Sequence, residues 1–244
     1  MKRILIGVDL AKSFDFTSFS VIEMEDSVYH LVGLDRVRGV EYPKITELIL
    51  ATVGKLDNMD GVDDGPHLCL DASGLGAPIK DFLKGSGKFA SERKQIFPVV
   101  FTGGEAARFD TKSRNYNISK SLIISNLLSL MQHHRLDYAP DLQALPLLEQ
   151  EIASFKRHTS TSGRQQFDAE QGAHDDLICA LAIPLIIGEW RFHKTQTPLL
   201  CFSGGTKVPA WGSSSKRSIP GGAIQSSNWV ARASDDMVRA HRQL

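Results

Sequence analysis

An α/β fold, with one mixed five-stranded sheet flanked by helices, is the class that this 244-residue sequence predicts. Three observations carry it. The chain opens with three strand-like runs separated only by short polar breaks, continues as strand–helix–strand, and finishes in helices.

"RILIGVDLA" reads as a buried strand ending at Asp9. "FTSFSVIEM" and "YHLVGLDRV" are β-branched or alternating runs and complete an antiparallel meander. "YPKITELILATVGKL" places Ile45, Leu48, Ile49, Val53 and Leu56 at helical spacing, with Pro43 suited to a first turn. "HLCLDAS" is a short buried strand ending at Asp71. "GLGAPIKDFLKGSG" reads as a glycine turn, a helix opened near Pro78 and a glycine-rich stop. "QIFPVVFTGG" is the fifth strand, weakened at one end by Pro98. "NYNISKSLIISNLLSLMQHHRL" reads as an amphipathic helix with Ile118, Leu122, Ile123, Leu127, Leu130 and Met131 on one side. "PDLQALPLLEQEIASFKRH" is a second helical region, "TSTSGRQQFDAEQG" a polar turn-bearing excursion, and "GAHDDLICALAIPLII" the last helix. This order is compatible with an RNase H-like fold. From about Lys194 periodicity gives way to Ser, Gly and Pro, so the expected division is a domain over 1–194 and a flexible, mildly basic tail over 195–244.

Composition narrows the function. The chain is 42% hydrophobic and 23% charged, ordinary for a globular protein. Lys plus Arg equals Asp plus Glu at 28 each, so no global basic field announces a DNA-coating protein. A nuclease stays open, because an acidic metal-binding centre can cancel a basic rim. The three cysteines, Cys69, Cys179 and Cys201, are too scattered for a disulfide framework or a zinc site. The apolar start meets Asp9 too soon for a signal peptide, and the run from Leu177 to Gly188 is too short to span a bilayer. A reducing cytoplasm is the expected setting, with no membrane partner.

The chemistry lies in aspartates. Asp9 closes the first strand, Asp71 closes the fourth, and Asp175 and Asp176 open the last helix. Apolar strands in mid-sheet can bring their carboxyl ends to one rim, a common place for a site. Clustered carboxylates repel one another unless a cation sits among them, and oxygen-only ligands favour Mg²⁺ or Mn²⁺. Two such ions, about 3.5–4 Å apart, can activate water and stabilise a leaving oxygen in phosphodiester cleavage. Each aspartate also has a plain reading. Asp9 could simply end a strand, Asp71 could form a turn, and the pair could cap the helix. Singly those readings are the better ones; jointly they require three coincidences on the most buried elements.

"GVDLAKSFDFTSFSVI", "LCLDASGLGAPIKDFL", "SKSLIISNLLSLMQHHRLDY", "LLEQEIASFKRH" and "DAEQGAHDDLICALAIPL" occur in the order of a known family. Together they resemble the nuclease domain of phage terminase large subunits, over roughly residues 4 to 190. The resemblance implies an RNase H-like fold, two-metal hydrolysis of double-stranded DNA, and cutting of concatemeric genomes during packaging in a bacterial host. By position, Asp9 resembles the carboxylate that bridges the two metals and Asp71 the second-strand carboxylate. Asp175 and Asp176 resemble the final acidic pair, with Asp176 the favoured direct ligand and Asp175 helping from the side. Adjacent helical residues diverge by about 100°, so the two do not ligate one ion alike. Asp9, Asp71 and Asp176 are thus the expected catalytic set. Asp15 matches an additional acidic position near the family's site, or is a turn residue. His174 either supports the ligands from behind or belongs to the turn. Lys120 matches a frequent basic position that could contact DNA, or is a solvated lysine at a helix start.

Full-length terminase large subunits carry an ATPase motor before the nuclease, and no phosphate loop is found here. "GSGKFAS" has Phe82 where the first glycine should stand and Phe89 in place of the Ser or Thr that reaches Mg²⁺. An isolated domain, a split gene product or a prophage remnant is the expectation. A separate ATPase, the small terminase subunit and the portal are the implied partners, besides DNA. DNA contacts would come from local patches, Lys112, Arg114 and Lys120 in one and Lys156, Arg157 and Arg164 in another, unless these are merely solvated. Two other classes compete: a Holliday-junction resolvase-like nuclease, and a decayed domain that only binds DNA or a portal. An actin-like ATPase also starts with a strand ending in Asp, but needs a second lobe for which there is no room.

Overall fold

The computed structural model describes residues 1–10, 15–57, 59, 61–74, 76–89, 94–103, 106–159, 165–169 and 175–193. Strands β1 (Lys2–Asp9), β2 (Phe16–Glu25) and β3 (Val28–Arg38) form the antiparallel meander. Beyond β1 the sheet continues with parallel strands β4 (Asp64–Asp71), β5 (Ile96–Thr102) and β7 (Asn115–Ser119). The short strand β6 (Ala107–Asp110) runs antiparallel at that edge, and β8 (Leu136–Tyr138) closes the other edge beside β3. The order is therefore β6-β7-β5-β4-β1-β2-β3-β8. Central β1 is covered on both faces, and so it reads as a continuous apolar run. Ile4, Ile6 and Val8 pack toward α1 (Tyr42–Asp57) and α2 (Gly76–Gly85). Leu5 packs toward α3 (Lys120–Gln132), α4 (Leu145–Ser154) and α5 (Asp176–Arg191). A separate hairpin, β9 (Phe155–Thr159) with β10 (Gln165–Ala169), stands between α4 and α5 in sequence.

Helix α5 is buried from Leu177 to Gly188 although it contains Pro184. Proline has no N–H to donate to the carbonyl four residues back, so Ala180 O loses its helical partner. The Ser20 hydroxyl donates to that oxygen at 2.7 Å instead. Gly7, paired with Ser20 across β1 and β2, makes the approach possible: a Cβ there would lie 1.9 Å from Ala180 O and 2.8 Å from the Pro184 ring. The proline and its remedy thus seat α5 directly on β1 and β2.

The sheet has eight strands where five were expected. Residues 115–119, read as the start of a helix, are β7 instead. Tyr116 and Ile118 are buried while Asn115 and Asn117 are less so, a period of two. Ser119 then caps α3, its hydroxyl accepting from Leu122 N–H. Leu136, read as the helix end, instead opens β8, which follows the turn at His134 (φ 52°) and pairs with β3. The helical reading of 140–158 likewise ends early, at Ser154, with β9 following. Pro98 lies inside β5, paired with Leu70. The expected tail, 195–244, is outside the described residues. No helix among the described residues is long and apolar enough to cross a membrane.

Candidate active site

Parallel pairing of Val8 with Leu70 brings the next residues, Asp9 and Asp71, to the same rim of adjacent strands. Asp9 is opposite Ser18 of β2, and Ser18 is opposite Arg36 of β3. Directly paired residues share a face. Alternation from Gly7, which meets α5, puts that face under α5. Asp71 is 8% exposed. One of its oxygens accepts the Ser73 N–H at 2.8 Å, so it does form the turn that a plain reading assigned it. The turn is tight: a Cβ on Gly76 would lie 1.9 Å from the Asp71 carbonyl. The Asp71 and Asp9 carboxyls are neighbours on this rim, and each acts on the other's proton affinity.

From above the sheet, α5 delivers the acidic pair. Asp175 occupies the N-cap position yet makes no side-chain cap. Its carboxylate takes the Lys120 ammonium at 2.5 Å, across 55 residues of sequence. The first-turn amides of Leu177 and Ile178 donate instead to Oε2 of Glu151, at 3.0 and 3.2 Å. Glu151 comes from α4, and its other oxygen lies 3.5 Å from Arg36.

Electrostatics mark this rim as crowded with negative charge. Burial, then Asp71, Asp176 and Asp175, hold the Asp9 carboxyl well above the usual carboxylate range. Asp71 is also raised, by burial, against the lowering effect of its bonds to Ser73 and Asp9 and of Lys120. Burial opposes charge on Lys120, but Cys179, Asp175 and Asp9 outweigh it and keep the ammonium protonated. Burial pushes Glu151 up to about 7, against the Ile178 and Leu177 amides and Arg36.

Among the described residues no three His, Cys, Asp or Glu side chains close on one point as metal ligands would. The donor set nevertheless fits a hard divalent cation. It is all oxygen, burial and mutual repulsion raise its proton affinity, and the buried Ser18 hydroxyl beside Asp9 has no hydrogen-bond partner among the described residues.

The remaining expected residues are spread out. Asp15 is exposed immediately before β2. Lys112 and Arg114 sit in the exposed β6–β7 turn, where Asp110 accepts from the Lys112 N–H. That turn precedes β7, whose far end leads into Lys120. By register, Asp71 pairs with Val99 and Val99 with Tyr116, so Arg114 lies only two residues below the level of Asp71, two strands away at the β7 edge of the sheet. Lys156 and Arg157 lie on β9, paired with Asp168 and Phe167. His174 and Arg164 are outside the described residues. Sequence reasoning missed Glu151, Arg36 and Ser18. A signal existed for Glu151, an acid on the same buried helix face as Leu148 and Ile152.

No protein-family model matches the chain, and no curated protein does. Solved structures do. The large terminase nuclease of thermophilic phage G20c with bound magnesium is 20% identical, covering 76% of this chain and 81% of that one, with a TM-score of 0.52. The manganese-soaked human cytomegalovirus terminase nuclease domain is 12% identical, covering 79% and 85%, with a TM-score of 0.53. The chain thus has the RNase H-like fold of large-terminase nuclease domains, as the motifs led one to expect.

Proposed function

We propose that the chain is a metal-dependent endonuclease that hydrolyses phosphodiester bonds of double-stranded DNA, cutting phage genome concatemers at packaging. The observation that supports this reading is that β1, β4 and the start of α5 bring Asp9, Asp71, Asp175 and Asp176 to one rim of the sheet, with the Lys120 ammonium on Asp175. Asp9, Asp71 and Asp176 are the catalytic set, with Asp175 as an auxiliary ligand. Mg²⁺ or Mn²⁺, as two ions, would supply an activated water and a counter-charge for the leaving oxygen. The similar structures with magnesium and manganese support divalent ions of this kind.

The chain's own residues prepare the rim. Pairing of β1 with β4 keeps Asp9 and Asp71 together, and Lys120 pairs with Asp175. The reading extends to a separate terminase ATPase, small subunit and portal as partners, in a bacterial host cytoplasm.

Supercoiled plasmid incubated with Mn²⁺, Mg²⁺ or EDTA tests it, alongside Asp71→Ala and Asp176→Ala. Nicking that requires metal and is lost in both variants is the expected result. Equal nicking by wild type and variants would refute the site. DNA binding without any cleavage would leave only a decayed binding domain. A strong preference for four-way junctions over linear duplex would move the reading to a resolvase.

A further inference from the structure

We infer that Glu151, held by Arg36, is a positioning residue that caps α5 from outside, so that Asp175 pairs with Lys120 at the rim instead of capping; this rests on the nuclease reading above. The first N–H groups of any helix need acceptors, and aspartate at the N-cap is among the best. Here the N-cap is Asp175, and its side chain does not cap. The amides of Leu177 and Ile178 are satisfied by one oxygen of Glu151, 26 and 27 residues away in sequence. Glu151 is 6% exposed, so water does not compete freely for that oxygen.

The second oxygen faces Arg36, and Arg36 belongs to the cross-strand row Asp9–Ser18–Arg36. One end of that row therefore bears Asp9, while the other end fixes, through Glu151, the start of the helix that bears Asp176. Without the outside cap, the acid nearest to the orphaned amides is Asp175. Turning to cap its own helix would break its pairing with Lys120 and shift Asp176 relative to Asp9. Glu151 thus acts through the α5 backbone, and its expected role is in orientation.

Glu151→Leu and Glu151→Gln separate this role from packing. Gln keeps an oxygen for the two amides, and Leu does not. In the Leu variant, amide exchange at Leu177 and Ile178 should accelerate at least about tenfold while residues 181–187 stay protected. Mn²⁺ affinity and kcat for plasmid nicking should fall on the order of 10–100-fold, as for lost outer-shell partners, with KM for DNA unchanged. The Gln variant should restore most of each. Unchanged exchange and Mn²⁺ affinity in the Leu variant would overturn the inference. So would equal losses in both variants together with a lowered melting transition, which would mark a packing role. If wild type does not nick DNA, the nuclease reading fails, and amide exchange with Mn²⁺ titration still decides the role of Glu151.

Discussion

Lys120 heads α3, where a lysine meets the positive end of the helix dipole and gains nothing from it. Its place makes sense through Asp175, which it contacts at 2.5 Å, and through Asp9, which adds to its charge stabilisation. In the metal-free protein it is a counter-ion for the carboxylates. Lys120→Met should therefore lower stability in EDTA by about 1–2 kcal/mol, more than a fully exposed pair and less than a buried one. Added Mn²⁺ should recover most of that loss, since a cation replaces the missing charge. Urea midpoints in EDTA and in Mn²⁺ measure both, and an unchanged EDTA midpoint would show that the lysine is not the counter-ion. The four aspartates were legible in sequence because each ends or begins an apolar run that must be buried. Lys120 was legible as a residue, but its partner was not. Glu151 and Arg36 were invisible as a site for the same reason: their bonds join elements far apart in sequence, and only the packed sheet brings them together.

At the scale of elements, α5 shows how a local fault is corrected by a distant strand. Pro184 orphans Ala180 O, Ser20 donates to it, and Gly7 leaves the space. Ser20→Ala leaves a buried carbonyl without a donor and should cost about 1–2 kcal/mol. Pro184→Ala restores an N–H at the position that normally serves Ala180 O. In that background Ser20→Ala should cost roughly half as much or less, a coupling that urea unfolding of the two single variants and the double variant would reveal. Additive losses would mean that the hydroxyl does not stand in for the missing amide. Elements were legible where one period dominates, as in β1, α1 and α5. They were misread where two periods abut. Tyr116 and Ile118 end a strand only one residue before Lys120 begins a helix, and apolar residues of both fall on a plausible helical stripe. The edge strands β6 and β8, four and three residues long, are too short to show a period at all.

The whole molecule has a formal net charge of +0, so any grip on DNA must come from where its cations stand. The described structure separates the two candidate patches. Lys112 and Arg114 occupy the β6–β7 turn, at the far end of β7 from Lys120. Through Val99, however, Tyr116 is level with Asp71, so this patch stands two strands, roughly 10 Å, to the side of the rim. Lys156 and Arg157 belong to β9, which starts directly after α4, within about one helical turn of Glu151 and its bonds to α5. The β9–β10 hairpin is thus inserted beside the acidic rim, and DNA presented to Asp9, Asp71 and Asp176 would meet it. Each phosphate neutralised contributes a slope of about −0.9 to log K against log salt. Lys156→Ala with Arg157→Ala should make that slope shallower by roughly 1–2 units, and Lys112→Ala with Arg114→Ala tests the β6–β7 edge in the same way. Fluorescence anisotropy of a labelled duplex titrated in EDTA, across a salt series, reads both without cleavage. A shallower slope only in the Lys112 and Arg114 variant would put the duplex against the β6–β7 edge, and the hairpin would then not be what holds it.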